Sequence, residues 1–149
     1  MEPTRYMPLA ALYASAVAGY SYWFVQSRRR LPERLAPWDV ALLGVGTFRL
    51  SRLIAKDKVT SFLRAPFTRF EQSAPSAEVN EQARGRGLRR GMGELASCPF
   101  CVGQWAATAL GALFAAQPAT GRLVAGVLSA VAISDALQYA ETAVHERFA

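Results

Sequence analysis

Charged and apolar residues are segregated along this chain. Met7 to Ser27 carries no charged side chain, nor does Leu95 to Gly121, nor Leu123 to Ser134. About 20 uncharged residues are what a helix needs to cross about 30 Å of hydrocarbon, so three spanning helices are expected. The first, Pro8 to Gln26, ends in Tyr20, Tyr22, Trp23 and Phe24, followed directly by Arg28, Arg29 and Arg30. An aromatic belt with a basic stop marks a retained anchor rather than a cleaved signal. Pro32 and Pro37 then break the chain.

The other two runs form a pair. Gln104 to Gln117 is expected to be helical, Pro118 to Gly121 a tight turn, and Arg122 to Ala140 the returning helix. Ala107 with Gly111, Gly121 with Ala125, and Gly126 with Ala130 stand four apart. That spacing lets helix backbones approach closely, as in an antiparallel hairpin.

Trp38 to Ala55 is ambiguous. Its apolar part, Val40 to Phe48, is short, and Arg49 and Arg52 follow. Either the segment spans, with its arginines snorkelling to the headgroups, or it is half inserted. Charge counting favours half insertion, because spanning would turn Arg28, Arg29, Arg30 and Arg34 away from the basic segment Lys56 to Arg90. Both readings place segment 56–93 and the C-terminus in the cytoplasm.

Within that loop, Phe62, Leu63, Phe67 and Phe70 can share a face interrupted by Pro66. They suit either contact with an anionic inner leaflet or packing under the helices. Glu71 to Ala83 is polar and reads as a mobile linker, Arg84 to Arg90 as a flexible basic stretch, and 141–149 as a polar tail. The fold class expected is therefore an all-α integral membrane protein. It would have three to four membrane helices, an anchor over 1–37 and a core over 38–149 (helix 38–55, loop 56–93, hairpin 98–140).

Composition changes this picture little. Mean hydropathy over the 149 residues is only +0.11, so distribution rather than average marks the membrane runs. The net charge of +6 is almost wholly arginine, since only Lys56 and Lys58 among the 17 basic residues are lysines. Nucleic acid is set aside as a partner, because no recognition module accompanies the arginines and no aromatics are interleaved from Arg84 to Arg90. Anionic lipid, another membrane protein or a second copy of the chain fits better.

The chemistry on offer is sparse. Cys98 and Cys101 stand in Cys-Pro-Phe-Cys, a spacing shared by dithiol redox centres and zinc knuckles. Pro99 fits the first position of a helix, making Cys98 its N-cap, where the macrodipole lowers a thiol pKa. Zinc wants four ligands, and the chain has two cysteines and one histidine, His145 on the tail, with Glu94 a further candidate. Asp135 is the only acid in the last apolar segment, with Arg49 and Arg52 as natural partners. It would serve a structural ion pair or the path of a small transporter. One histidine on a polar tail leaves no base for a Ser or Cys nucleophile.

Two separated blocks carry a family resemblance. One is Thr47-Phe-Arg-Leu-Ser-Arg-Leu-Ile-Ala-Lys-Asp57 with Thr60 and Arg64-Ala-Pro-Phe67. The other is Gly93-Glu-Leu-Ala-Ser-Cys-Pro-Phe-Cys-Val-Gly-Gln-Trp105. In this order they resemble domain of unknown function 1360, a bacterial membrane-protein family with some members linked to sporulation. The resemblance implies a multi-pass membrane protein without an established activity. It draws attention to Arg49, Arg52, Asp57, Thr60, Arg64, Pro66, Phe67, Glu94, Cys98, Pro99, Cys101, Gly103 and Trp105. It also favours insertion of Trp38 to Ala55. The function expected is a non-enzymatic interaction or scaffold protein of the cytoplasmic membrane, with a redox- or metal-responsive protein and a small transporter as alternatives.

Overall fold

A computed structural model describes residues 6–31, 34–74 and 78–148. Pro32, the first predicted breaker, and Arg5, ahead of the first apolar run, lie outside them. Six helices and one hairpin follow in the order α1 (Met7–Gln26), α2 (Pro37–Ala55), a 3-10 turn (Lys58–Thr60), α3 (Ser61–Arg64), β1 (Thr68–Ser73), β2 (Val79–Ala83), α4 (Gly87–Ser97), α5 (Pro99–Ala116) and α6 (Pro118–Phe148). The four long helices make a bundle, and residues 56–97 make a cap on one end of it.

α2 is the axis of the bundle, packed along both α5 and α6. Small residues permit its approach to α6. A Cβ on Gly46 would lie 3.3 Å from the backbone of Ala125, which is fully buried. One turn further on, Ser129 donates to the Leu42 carbonyl at 3.2 Å. Of the small-residue pairs, Gly121 and Ala125 are buried in packing. A Cβ on Gly111 or Gly126 would meet nothing within 4 Å, so those two serve no close approach. Gly121 instead admits Phe114, whose Cα would stand 2.7 Å from an added Cβ. That contact closes the α5–α6 hairpin, and only Gln117 separates the two helices.

Polar contacts fix the direction of α1. At its start Tyr6 donates to the Glu94 carboxylate, and midway the Tyr13 hydroxyl is 2.6 Å from Thr108 Oγ1. Tyr20 donates to the Ala112 carbonyl at 2.6 Å, and beyond the helix Arg29 donates to the Ala116 carbonyl. α1 therefore runs parallel to α5, away from the cap, and α2 returns. Charge counting sets the arginines 28–34 and the basic residues 56–90 on one side; the structure puts Arg28, Arg29 and Arg30 at the end of the bundle opposite Lys56, Lys58 and Arg84. At the end away from the cap, Arg122 grips buried Asp39 with two bonds of 2.9 Å. Pairing is obligatory there, because an unpaired buried carboxylate is costly.

The cap departs most from the expectation. The fold is mostly helical, as expected, but carries one small sheet: β1 and β2 pair antiparallel from Thr68 opposite Ala83 to Ser73 opposite Val79, with an irregularity at Phe70–Gln72. The supposed mobile linker thus supplies most of a hairpin. Pro66 prevents α3 from continuing, and Asp57 bridges to Glu78 while Val79 donates to the Lys56 carbonyl at 2.9 Å. The hairpin is thereby stitched to the end of α2. The stretch Asp57 to Phe70 consequently has no single helical face. Phe62, Leu63 and Phe70 are each more than half exposed, so they do not pack under the helices. Part of the basic stretch becomes the first turn of α4, and the predicted tail continues α6 as helix to Phe148.

α4 lies against the hairpin through Gly93. A Cβ there would sit 2.4 Å from the Phe67 carbonyl oxygen and 2.9 Å from Ala83 Cβ. Gly93→Ala should therefore destabilise the protein by about 1–3 kcal/mol, the cost of overpacking against groups that yield little. Thermal unfolding of the purified variant checks this; an unchanged midpoint would mean that α4 shifts freely on the hairpin.

Candidate functional site

The end of α2 carries Arg49 and Arg52 into the seam between bundle and cap, α3 adds Arg64, and each meets acid from a different element. Arg49 donates to Asp57 through two nitrogens, at 3.2 and 2.8 Å. Its Nε lies 3.1 Å from Asp135 Oδ2 on α6. That contact is an ion pair rather than a hydrogen bond, since the buried Nε has no partner along its N–H. One turn later Arg52 donates to Glu78 Oε1, from Nε at 3.1 Å and also from a terminal nitrogen. Arg52 also sits over the Phe48 ring, 5.8 Å from its centroid.

Arg64, on α3, is the deepest of the set at 1% exposed. Its guanidinium is satisfied all round. Nε and one terminal nitrogen reach Glu81 at 2.9 and 3.3 Å, that same terminal nitrogen donates to the Asp57 carbonyl at 3.1 Å, and the other meets Thr60 Oγ1 at 2.8 Å and the Ile54 carbonyl. Glu81 also accepts from Thr68 Oγ1 at 2.8 Å. Guanidinium geometry explains why arginine stands here: five donors in a plane can join α2, the turn, α3 and β2 at once.

Above this network is an open cleft of about 720 Å³, bounded by the end of α2, the 57–59 turn, Glu78 and the Ala132–Thr142 face of α6. Its charged lining balances, with Arg49, Arg52 and Lys58 against Asp57, Glu78 and Asp135. Phe48, Ala132 and Tyr139 supply its apolar wall.

The remaining predicted residues lie elsewhere. The Pro66 carbonyl accepts from Arg84 at 3.3 Å and from Arg89 at 3.0 and 2.7 Å; the Phe67 carbonyl accepts from the Arg84 amide at 2.9 Å. The Arg89 bonds fasten α4 to the segment that leads into the hairpin, and the Arg84 amide extends the strand pairing by one step. Gly103 faces Ser51 of α2, and Trp105 stacks edge-on against Tyr13, with ring centres 5.0 Å apart. Pro99 starts α5 and Cys98 caps it, its Sγ accepting from the Cys101 amide at 3.4 Å. Burial pushes the Cys98 thiol up. Hydrogen bonds from the Cys101 side chain and from the Cys101 and Phe100 amides outweigh it, with the Lys56 charge, and hold the thiol below its ordinary value. Glu94 is engaged by other partners. It is held by Arg90 at 3.0 Å and by Tyr6, and no group of three or more metal-binding side chains occurs among the described residues.

Sequence reasoning offered Arg49 and Arg52 as partners of Asp135; the structure pairs it with Arg49 and gives Arg52 to Glu78, and the sequence reading missed Glu78, Glu81 and the Asp39–Arg122 pair. Glu78 and Glu81 lay in what read as a linker. Asp39, the only acid in the first turn of α2, was the one visible signal.

Such a molecule is a small helical-bundle protein with an arginine-fastened cap. Among the described residues, two of its helices, α5 and α6, are long and apolar enough to cross a membrane. Residues 42–141 match the family described as protein of unknown function (DUF1360), and the chain belongs to that family. α1 precedes the matched span. The chain is similar to the sporulation protein YjcA of Bacillus subtilis (strain 168), 36% identical over 72 residues, which is 46% of this chain and 60% of that protein. It is also similar to the UPF0713 protein YngL of the same organism, 28% identical over 113 residues, covering 75% of this chain and 82% of the relative. No solved structure matches.

Proposed function

We propose that this chain is a multi-pass scaffold of the bacterial cytoplasmic membrane, its bundle in the bilayer and its cap and C-terminus in the cytoplasm. One observation carries the non-enzymatic reading: in the cleft, Arg49 and Arg52 pair with Asp57, Asp135 and Glu78 across elements. Such pairing ties separate elements into a rigid platform.

Several features support the membrane placement. Only 22% and 11% of the apolar windows of α5 and α6 are buried inside the protein, whereas a soluble core helix would be mostly covered. α1, α2 and α5 have 20, 19 and 18 residues, or about 27–30 Å at 1.5 Å per residue, matching one hydrocarbon thickness. Lys56, Lys58, Arg64, Arg69, Arg84, Arg86, Arg89 and Arg90 belong to the cap, against Arg28, Arg29, Arg30, Arg34 and Arg122 at the other end. The excess points the cap inward. Val59, Phe62 and Leu63, exposed beside Lys58, then meet an anionic leaflet.

Accessibility mapping tests the placement. In a Cys98→Ser, Cys101→Ser background, Ser27→Cys should react with a membrane-impermeant maleimide in intact cells. Ser73→Cys should react only after permeabilisation. Equal labelling of the two would sink the four-helix topology. For the scaffold role, Lys58→Ala with Gln138→Ala at the cleft mouth should keep membrane abundance and lose complementation of a deletion strain. Full complementation would remove the cleft from the reading.

A further inference from the structure

The two cysteines are absorbed neither by the packing of the bundle nor by the scaffold reading. Cys101 is exposed and Cys98 half-buried, and both are free thiols, so they do not serve as core filler. Among the described residues, no third metal-binding side chain joins them. Their placement is nevertheless specific. Cys98 is extended, at φ −103° and ψ 109°, and turns its sulfur back over the first turn of α5 to the Cys101 amide at 3.4 Å. Sγ of Cys98 thus lies within one side chain's reach of the Cys101 thiol, on the same turn. Pro99 at the first helical position pre-sets that turn without losing a hydrogen bond.

We propose that Cys98 and Cys101 form a reversible dithiol–disulfide site, in which Cys98 exchanges with low-molecular-weight disulfides and Cys101 resolves the adduct. The inference is independent of the scaffold reading. In the first step the Cys98 thiolate attacks one sulfur of a small disulfide, forming a mixed disulfide and expelling one small thiolate, which takes up the Cys98 proton. In the second, the Cys101 thiol gives up its proton and attacks Cys98 Sγ, forming the internal disulfide and expelling the second small thiol. The protein is oxidised by two electrons and the small disulfide is reduced to two thiols, each carrying one of the two protons. A small thiol in excess reverses both steps. At a reducing cytoplasmic face such a bond is transient rather than structural.

Three features assign the first step to Cys98. It caps the helix and receives amide hydrogen bonds that stabilise a thiolate. The Lys56 charge acts on it. Cys101 lies inside the first turn and makes no comparable capping contact. In the wild-type chain the adduct is short-lived because the resolving thiol is already on the same turn.

The test uses the full chain in detergent micelles, equilibrated with mixtures of reduced and oxidised glutathione, acid-quenched, alkylated and weighed intact. Wild type should lose both alkylation sites together, without retained glutathione, and regain them with excess reduced glutathione. Cys101→Ser should hold one glutathione, on Cys98. Cys98→Ser should form its adduct at least about tenfold more slowly than Cys101→Ser. Two thiols still alkylated at the oxidising limit would overturn the proposal. So would a stable glutathione adduct on wild type, or equal rates in the two variants.

Discussion

Arg64→Ala is expected to produce the largest loss of stability of any single substitution in the cap, about 3–5 kcal/mol. The size follows from what remains behind. Arg64 and Glu81 have side chains 2% and 5% exposed, so removing the guanidinium leaves a carboxylate away from water with only Thr68 to donate to it. The Ile54 and Asp57 carbonyls lose donors in the same stroke. Arg64→Lys should rescue little, because an ammonium cannot serve Glu81, Thr60 and two carbonyls from one plane. The double variant Arg64→Met, Glu81→Leu should recover much of the loss, since it removes both charges rather than stranding one. Thermal unfolding in micelles, read alongside protease cleavage within the hairpin, measures this. A single variant as stable as wild type would mean that Arg64 is not the fastening of the cap.

Arg49→Gln ranks second, with an expected cost of about 2–3 kcal/mol. Its side chain is 15% exposed and Asp57 19%, so the pair is better solvated than Arg64–Glu81 and the penalty smaller. The distinctive consequence is geometric. Arg49 joins α2 to the turn at Asp57 and to α6 at Asp135, so its loss frees the cap from α6. Faster hydrogen exchange over the 57–60 turn and the Asp135 end of α6 should accompany the lower stability. Asp135→Asn makes the contrast. Asp135 is 40% exposed and makes no aligned hydrogen bond to Arg49, so less than about 1 kcal/mol is at stake. Ion flux in vesicles should be unchanged in Asp135→Asn; an altered flux would turn Asp135 from a structural partner into part of a permeation path.

Both substitutions address one arrangement, in which arginines at the bundle–cap seam hold elements distant in sequence. It accounts for charge at the end of an otherwise apolar helix. An arginine snorkelling to headgroups needs only water or phosphate, whereas Arg49 and Arg52 find carboxylates supplied by the cap and α6. A rigid, self-neutralised seam is consistent with the scaffold role proposed above.

What was legible in the sequence was the part encoded locally. The uncharged runs marked α1, α5 and α6, because crossing or lining a bundle needs about 20 apolar residues in succession. Pro99 marked the start of α5, because proline fits that position and few others. Asp135 announced itself as a partner of Arg49 or Arg52, because an acid among apolar residues needs a base; only the structure chose Arg49. Tertiary structure alone decided the rest. The hairpin escaped because each strand buries a single residue, Thr68 in one and Val79 in the other, leaving no alternating apolar pattern to read. The partners of Arg52 and Arg64 escaped for the same reason, since Glu78 and Glu81 reach them only once β2 pairs with β1. The course of α2 also lay beyond charge counting, because its close packing on α6 at Gly46 and Ala125 and the buried Asp39–Arg122 pair depend on helices far apart in the chain. Local pattern says which segments leave water; only long-range contact says which charges they take with them.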